Sequence, residues 1–203
     1  MSKLKKSLLI IGFILIIDQI LKICIKTHMT LGQEIRIFDW FIIHFVENDG
    51  MAFGMELPGN YGKIILSVFR VIAVFIIGWY LYRLTQKKET TNGLIICMSL
   101  IFAGAIGNII DSAFYGLIFT ESYMQAASFV APGQGYGSFL HGRVVDMFYF
   151  PLIIGNYPDW FPFGLSGKNF IFFRPVFNIA DSAITTGIIS LLVFQKKFFK
   201  ERK

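Results

Sequence analysis

Residues 8–25 read LLIIGFILIIDQILKICI. An α-helix rises 1.5 Å per residue, so about 20 mostly apolar residues cross the hydrocarbon core of a bilayer. This run has nearly that length, and only Asp18, Gln19 and Lys22 interrupt it. Runs at about 63–82, 93–111 and 176–194 have the same character. The reading they share is a membrane α-helical fold, a single integral domain over 1–203 with four transmembrane helices.

Composition agrees. Hydrophobic residues make up 55% of the 203-residue chain and charged residues 16%, against roughly 25% charged in soluble domains. A net charge of +6 raises the question of nucleic acid, and the placement of the charges answers it. Lys3, Lys5 and Lys6 precede the first run, Arg83, Lys87 and Lys88 follow the second, and Lys196, Lys197, Lys200, Arg202 and Lys203 follow the last. Between Thr27 and Asn60 lie Glu34, Asp39, Glu47, Asp49 and Glu56 against Arg36. Basic flanks on alternate sides of the spans follow the positive-inside rule, which puts both termini in the cytoplasm and argues against a nucleic-acid partner. Cys24 and Cys97 fall near opposite membrane faces, too far apart for a disulfide. Lys22 two residues before Cys24 fits poorly with a lipoprotein processing site, and no small-residue cleavage site follows the first run, which reads as a retained anchor.

Two external segments remain, at about 27–62 and 112–175. Glu34-Ile35-Arg36-Ile37 and Trp40 to Phe45 read as short strands, Pro132 to Gly137 as a loop, and Phe148 to Phe173 is rich in aromatics that favour the membrane–water interface. A small extracytoplasmic β segment lying on the outer membrane surface accounts for both.

Ionisable groups inside a span are costly unless partnered. Asp18 and Lys22 are spaced i,i+4 and pair on one helix face. Asn108 and Asp111, and again Asn178 and Asp181, are spaced i,i+3. Ser99, Ala103 and Gly107 form a ladder of small residues suited to close helix approach. Counting along the helices puts Asp18 about 10 Å and Asp181 about 7 Å below the outer surface, with Asn108 and Asp111 close to it. Asp146, in the apolar stretch Arg143 to Phe148, can reach the same level. Carboxylates this close share a proton, which supplies one general base to activate water and one general acid to protonate a leaving amine. The residues alone leave open which two aspartates act. Hydrogen-bonded glue between helices explains Asp18–Lys22 and explains less of three further carboxylates at one depth, where the cations nearby are Lys22 and Arg143. His28, His44 and His141 lack metal-ligand spacing, and no metal or cofactor is expected. A proton-coupled transporter is the main rival, opposed by acids gathered at one depth. A non-enzymatic lipoprotein-binding factor is the second, since it needs a groove but not two carboxylates.

Five blocks resemble, in order, the motifs of lipoprotein signal peptidase (signal peptidase II). They are Asp18-Gln19 with Lys22, the run from Asn48 and Gly50 to Gly54, Gly107-Asn108 with Asp111, Gly142-Arg143-Val144-Val145-Asp146, and Asn178 with Ala180-Asp181. The resemblance implies an aspartic endopeptidase of the bacterial cytoplasmic (inner) membrane. It would cleave signal peptides from diacylglyceryl-modified prolipoproteins before the lipidated cysteine, in contact with membrane lipids, and be blocked by the cyclic peptide inhibitors of the family. It implies Asp146 and Asp181 as the catalytic pair, Asn48, Gly50, Asn108 and Asn178 lining the site, and Asp18, Lys22 and Asp111 supporting it. Two features depart from the family pattern: Ser112 stands where arginine is usual, with Arg143 expected to take over its charge, and the connection from Asp111 to Asp146 is longer.

Overall fold

The computed structural model describes residues 1–49, 61–162 and 164–198. Of the motif block that starts at Asn48, Gly50 to Gly54 lie outside the described residues.

Helix α1 spans Lys3–His28, opened by Ser2, whose side chain accepts from the Lys5 amide. Its burial pattern is inverted relative to a soluble helix. Ser7, Asp18, Lys22 and Lys26 face inward, while Leu8, Leu9, Phe13, Ile16 and Ile20 are exposed. A soluble helix buries its apolar stripe; this arrangement suits a surrounding solvent of hydrocarbon. Helix α2 (Tyr61–Gln86) repeats it, with Ile65, Phe69, Phe75, Ile76 and Trp79 outward. Helix α3 (Asn92–Ile110), capped by Thr91, packs between α1, α2 and α5 (Ile179–Val193). Small residues permit the approach. A β-carbon added at Gly107 would stand 2.8 Å from Asp18 Oδ2, one at Gly104 would meet the Ala180 carbonyl, and Ser99 and Ser7 share a 2.7 Å hydrogen bond. Among the described residues, three helical segments are long and apolar enough to cross a membrane: Lys3–His28, Ile65–Gln86 and Asn92–Ile118.

Two of the expected spans end differently. The third does not stop at Asp111 but widens into a π-helical turn, Asp111–Tyr115, and continues as α4, Gly116–Ile118. Carbonyls loosened by the wide turn are met from the long connection: Gly142 donates its amide to Ser112 O and Gly137 to Gly116 O, each at 2.8 Å. The fourth is shorter than 176–194. Val176–Phe177 form strand β6, Asn178 caps, and α5 has 15 residues before the chain bends into α6, Gln195–Phe198.

The strands expected near 34–37 and 40–45 are β1 (Glu34–Phe38) and β2 (Phe41–Asn48). With β3 (Val144–Tyr149) and β6 they make an antiparallel sheet in the order β1-β2-β3-β6. A separate hairpin, β4 (Ile153–Asn156) with β5 (Asn169–Phe172), projects between β3 and β6. Under the sheet Met29, Phe45, Tyr115, Phe119, Val145 and Met147 form one apolar core, and Leu81, Leu84, Leu94, Ile95 and Met98 form another between the helices.

Candidate active site

The polar residues that interrupt the apolar runs converge where α1, α3 and the start of α5 meet strand β3. Asp146 is central on β3 and 4% exposed. The α5 N-terminus comes to it: Asn178 donates Nδ2 to Asp146 Oδ1 at 2.7 Å. Asn178 also closes a capping box with Asp181, its Oδ1 accepting from the Asp181 amide at 2.9 Å and its own amide reaching Asp181 Oδ2 at 3.3 Å. One asparagine therefore holds both aspartates. Asn108 donates to Asp181 Oδ1 at 2.8 Å, and its Oδ1 accepts from Lys22 at 2.9 Å and from Asn178 at 3.2 Å. Asn48, at the end of β2, donates to Asp146 Oδ2 at 3.4 Å.

A second layer supports the first. Lys22, wholly buried, bridges Asp18 at 2.9 Å and Asp111 at 2.8 Å. Asp18 accepts from the Ala180 amide at 2.9 Å, tying α1 to the first turn of α5. Asp111 accepts from the Val145 amide at 3.3 Å, tying α3 to the strand that carries Asp146. The sequence motif quoted Gln19 without giving it a task. In the fold its amide reaches Asp18 and Asp111, and Tyr115 donates to its Oε1. Arg70 on α2 was also missed; its guanidinium lies close enough to feel the charges of Asp181 and Asp146. Its place in the middle of an apolar run was the available signal.

Arg143 does not take the charge beside Asp111, which Lys22 neutralises. It donates instead to Glu121 at 2.8 Å and Glu47 at 3.1 Å. The histidines stay apart from the site, with His44 on Glu34 and His141 on Ser138.

Burial is the largest influence on Asp146, pushing its carboxyl up to about 7; the charge of Asp181 adds to it, while Lys22 and the bonds from Asn48 and Asn178 oppose. A buried carboxyl near 7 beside a second carboxylate is able to hold a proton at neutral pH. Asp181 sits in the first turn of α5 and accepts from two N–H groups, where the helix dipole favours an anion.

A family model described as signal peptidase (SPase) II matches residues 10–197. The chain belongs to the signal peptidase II family. A lipoprotein signal peptidase of Porphyromonas gingivalis is 53% identical over 184 residues, 91% of this chain and 80% of that protein. One from Amoebophilus asiaticus is 38% identical over 90% of this chain and 73% of that protein. A bacterial membrane enzyme solved by the in meso method at 1.9 Å resolution aligns with TM-score 0.60 and 26% identity over 97% of this chain and 94% of that one. Signal peptidase II is a protease, and the apolar helices and the enzyme neighbour agree on a multi-pass membrane protein.

Proposed function

We propose that this signal peptidase II is an aspartic endopeptidase that removes signal peptides from diacylglyceryl-modified prolipoproteins, with Asp146 and Asp181 as its catalytic pair. The observation that carries the reading is that Asn178 donates to both carboxyl groups, by its side chain to Asp146 and by its backbone amide to Asp181. Buried Asp146 holds the shared proton at rest and Asp181 is the carboxylate. Asp181 takes a proton from water as the oxygen attacks the scissile carbonyl carbon. Asp146 then gives its proton to the amide nitrogen as the C–N bond breaks, leaving a carboxyl terminus and the free amine of the lipidated cysteine. The proton on Asp181 returns to Asp146 through the site. Asn108 and Asn178 fix the two carboxyls, and Asn48 lines the entry.

In this reading the whole chain is one domain of the bacterial inner membrane. It crosses four times, with α5 as the fourth crossing, both termini cytoplasmic and the sheet on the outer surface among lipid headgroups. Inward-facing polar groups and outward-facing apolar ones on α1 support it, as do the basic flanks. Cyclic peptides that block the family would occupy the same site. Labelling of single cysteines placed at Asp39 and Lys87 tests the orientation: an impermeant reagent added to spheroplasts reaches the first and not the second, and the reverse pattern rejects it.

The direct test offers purified enzyme two versions of one prolipoprotein, with and without the diacylglyceryl group. Cleavage of the modified form alone, before its cysteine, is the expected result. Binding of the modified form without cleavage would make the protein a lipoprotein-binding factor instead.

A further inference from the structure

A second cluster of charged side chains lies outside the aspartate pair. Glu47, on β2 beside Asn48, has its side chain 2% exposed and is gripped by the fully buried Lys26. Ser122 donates to it at 2.8 Å and also accepts from Lys26 at 2.9 Å. Arg143 adds a bond at 3.1 Å and carries Glu121 on its other side. Tyr136 seals the cluster, its ring 4.9 Å from the Lys26 ammonium and 5.1 Å from the Arg143 guanidinium. Burial works to raise the Glu47 carboxyl, but Lys26, Ser122 and Arg143 together hold it below its ordinary range. Ser122, Glu121 and Tyr136 all come from the long connection between Asp111 and Asp146, so that segment walls the cluster.

Such a group adds little net stability, because desolvation offsets the attraction; its best-attested use is to fix a register. Register is what this position needs. The β2–β3 ladder is interrupted between Ile43 and Val46, so the pairing of Glu47 with Val145 and of Asn48 with Val144 is not inherited from the regular part of the sheet. A slip by one residue turns every side chain to the opposite face and would carry Asn48 away from Asp146. Lys26 is one helical turn beyond Lys22. The same face of α1 thus holds β3 through Asp111 and holds β2 through Glu47.

We infer that Glu47, clamped by Lys26, Ser122 and Arg143, is a positioning residue of the protease site, setting the end of β2 so that Asn48 stays on the Asp146 carboxyl. This rests on the catalytic pair proposed above. Loss of the clamp weakens a hydrogen bond that favours the ionised carboxyl, so the Asp146 titration moves to higher pH.

The test compares wild type with Glu47→Gln and with Glu47→Asp, which keeps the charge on a shorter stem and serves if the first variant does not fold. With a diacylglyceryl lipopeptide, kcat falls between about 10- and 100-fold, the cost of a misplacement on the order of 1 Å, with KM unchanged. The alkaline limb of the kcat profile moves upward. In parallel, the carboxyl carbons of protein labelled with 13C at the aspartate side chains are titrated by NMR without substrate; Glu47 carries no label, so the Asp146 signal is read without interference from it. Wild-type kcat and an unmoved Asp146 titration in the folded variants overturn the inference, even if their melting temperature drops, because that is the behaviour of a purely structural cluster. An inactive wild type would reject the protease reading alone, and the titration would still decide the role of Glu47.

Discussion

Asp146→Asn and Asp181→Asn each lower kcat by about 10⁴-fold, the upper range for a lost general acid or base, and the double variant is little worse because the two act as one unit. KM stays near wild type, since asparagine has nearly the size and shape of the aspartate it replaces. The pH dependence carries the same information. With the Asp146 carboxyl pushed up to about 7, the shared proton is lost as pH rises past neutrality, and kcat of the wild type falls there. The pair titrates as a unit, so the limb belongs to both groups. Stability runs in the same direction as activity. A carboxyl raised by burial favours folding while it is neutral, and that advantage is lost as pH climbs from the ordinary carboxylate range through about 7. Asp146→Asn has no charge to bury, so at pH 8 its melting temperature equals or exceeds that of wild type. Single variants that cleave at the wild-type rate would dismiss the pair.

Lys22→Met has the largest expected effect on folding. Its ammonium is fully buried and lies within hydrogen-bond distance of Asp18, Asp111 and Asn108. Removing it leaves two buried carboxylates facing each other, a change that costs about 3–5 kcal/mol when one partner of a buried pair is lost. The damage spreads along the bonds the carboxylates make, since Asp18 holds the Ala180 amide and Asp111 the Val145 amide. Thermal unfolding in detergent measures it, and adding Asp111→Asn to Lys22→Met should recover part of the loss. A melting temperature within a degree or two of wild type would mean that water or lipid headgroups reach these carboxylates.

The most legible residues were those that apolar helices have least reason to contain. Asp18, Lys22, Asn108, Asp111, Asn178 and Asp181 each stand in a hydrocarbon-like run, and helical rise alone brings them to one level. Glu47 and Lys26 were illegible for two reasons. Lys26 lies just past the apolar run and reads as an ordinary flanking charge. Glu47 meets Arg143 across 96 residues of sequence, and no periodicity records such a pairing. The start of the fourth helix was misplaced because Val176 and Phe177 suit a strand as well as a helix, and only their pairing with Tyr149 and Phe148 decides. The π turn at Asp111 depends on amide donors from Gly137 and Gly142, which lie well along the chain.

Helix α5 has 15 residues, which at 1.5 Å each reach about 22 Å, against a hydrocarbon core of about 30 Å. In the four-crossing arrangement proposed above, the bilayer has to make up that difference. Lipids bordering a short hydrophobic element compress their chains, at a fraction of a kcal/mol per Å. In that arrangement the headgroup layer would dip beside α5, whose outer end carries Asn178 and Asp181. A hydrolase whose carboxylates lie below the membrane surface, as proposed above, needs water there, and thinning of the lipid would bring the aqueous boundary closer to them.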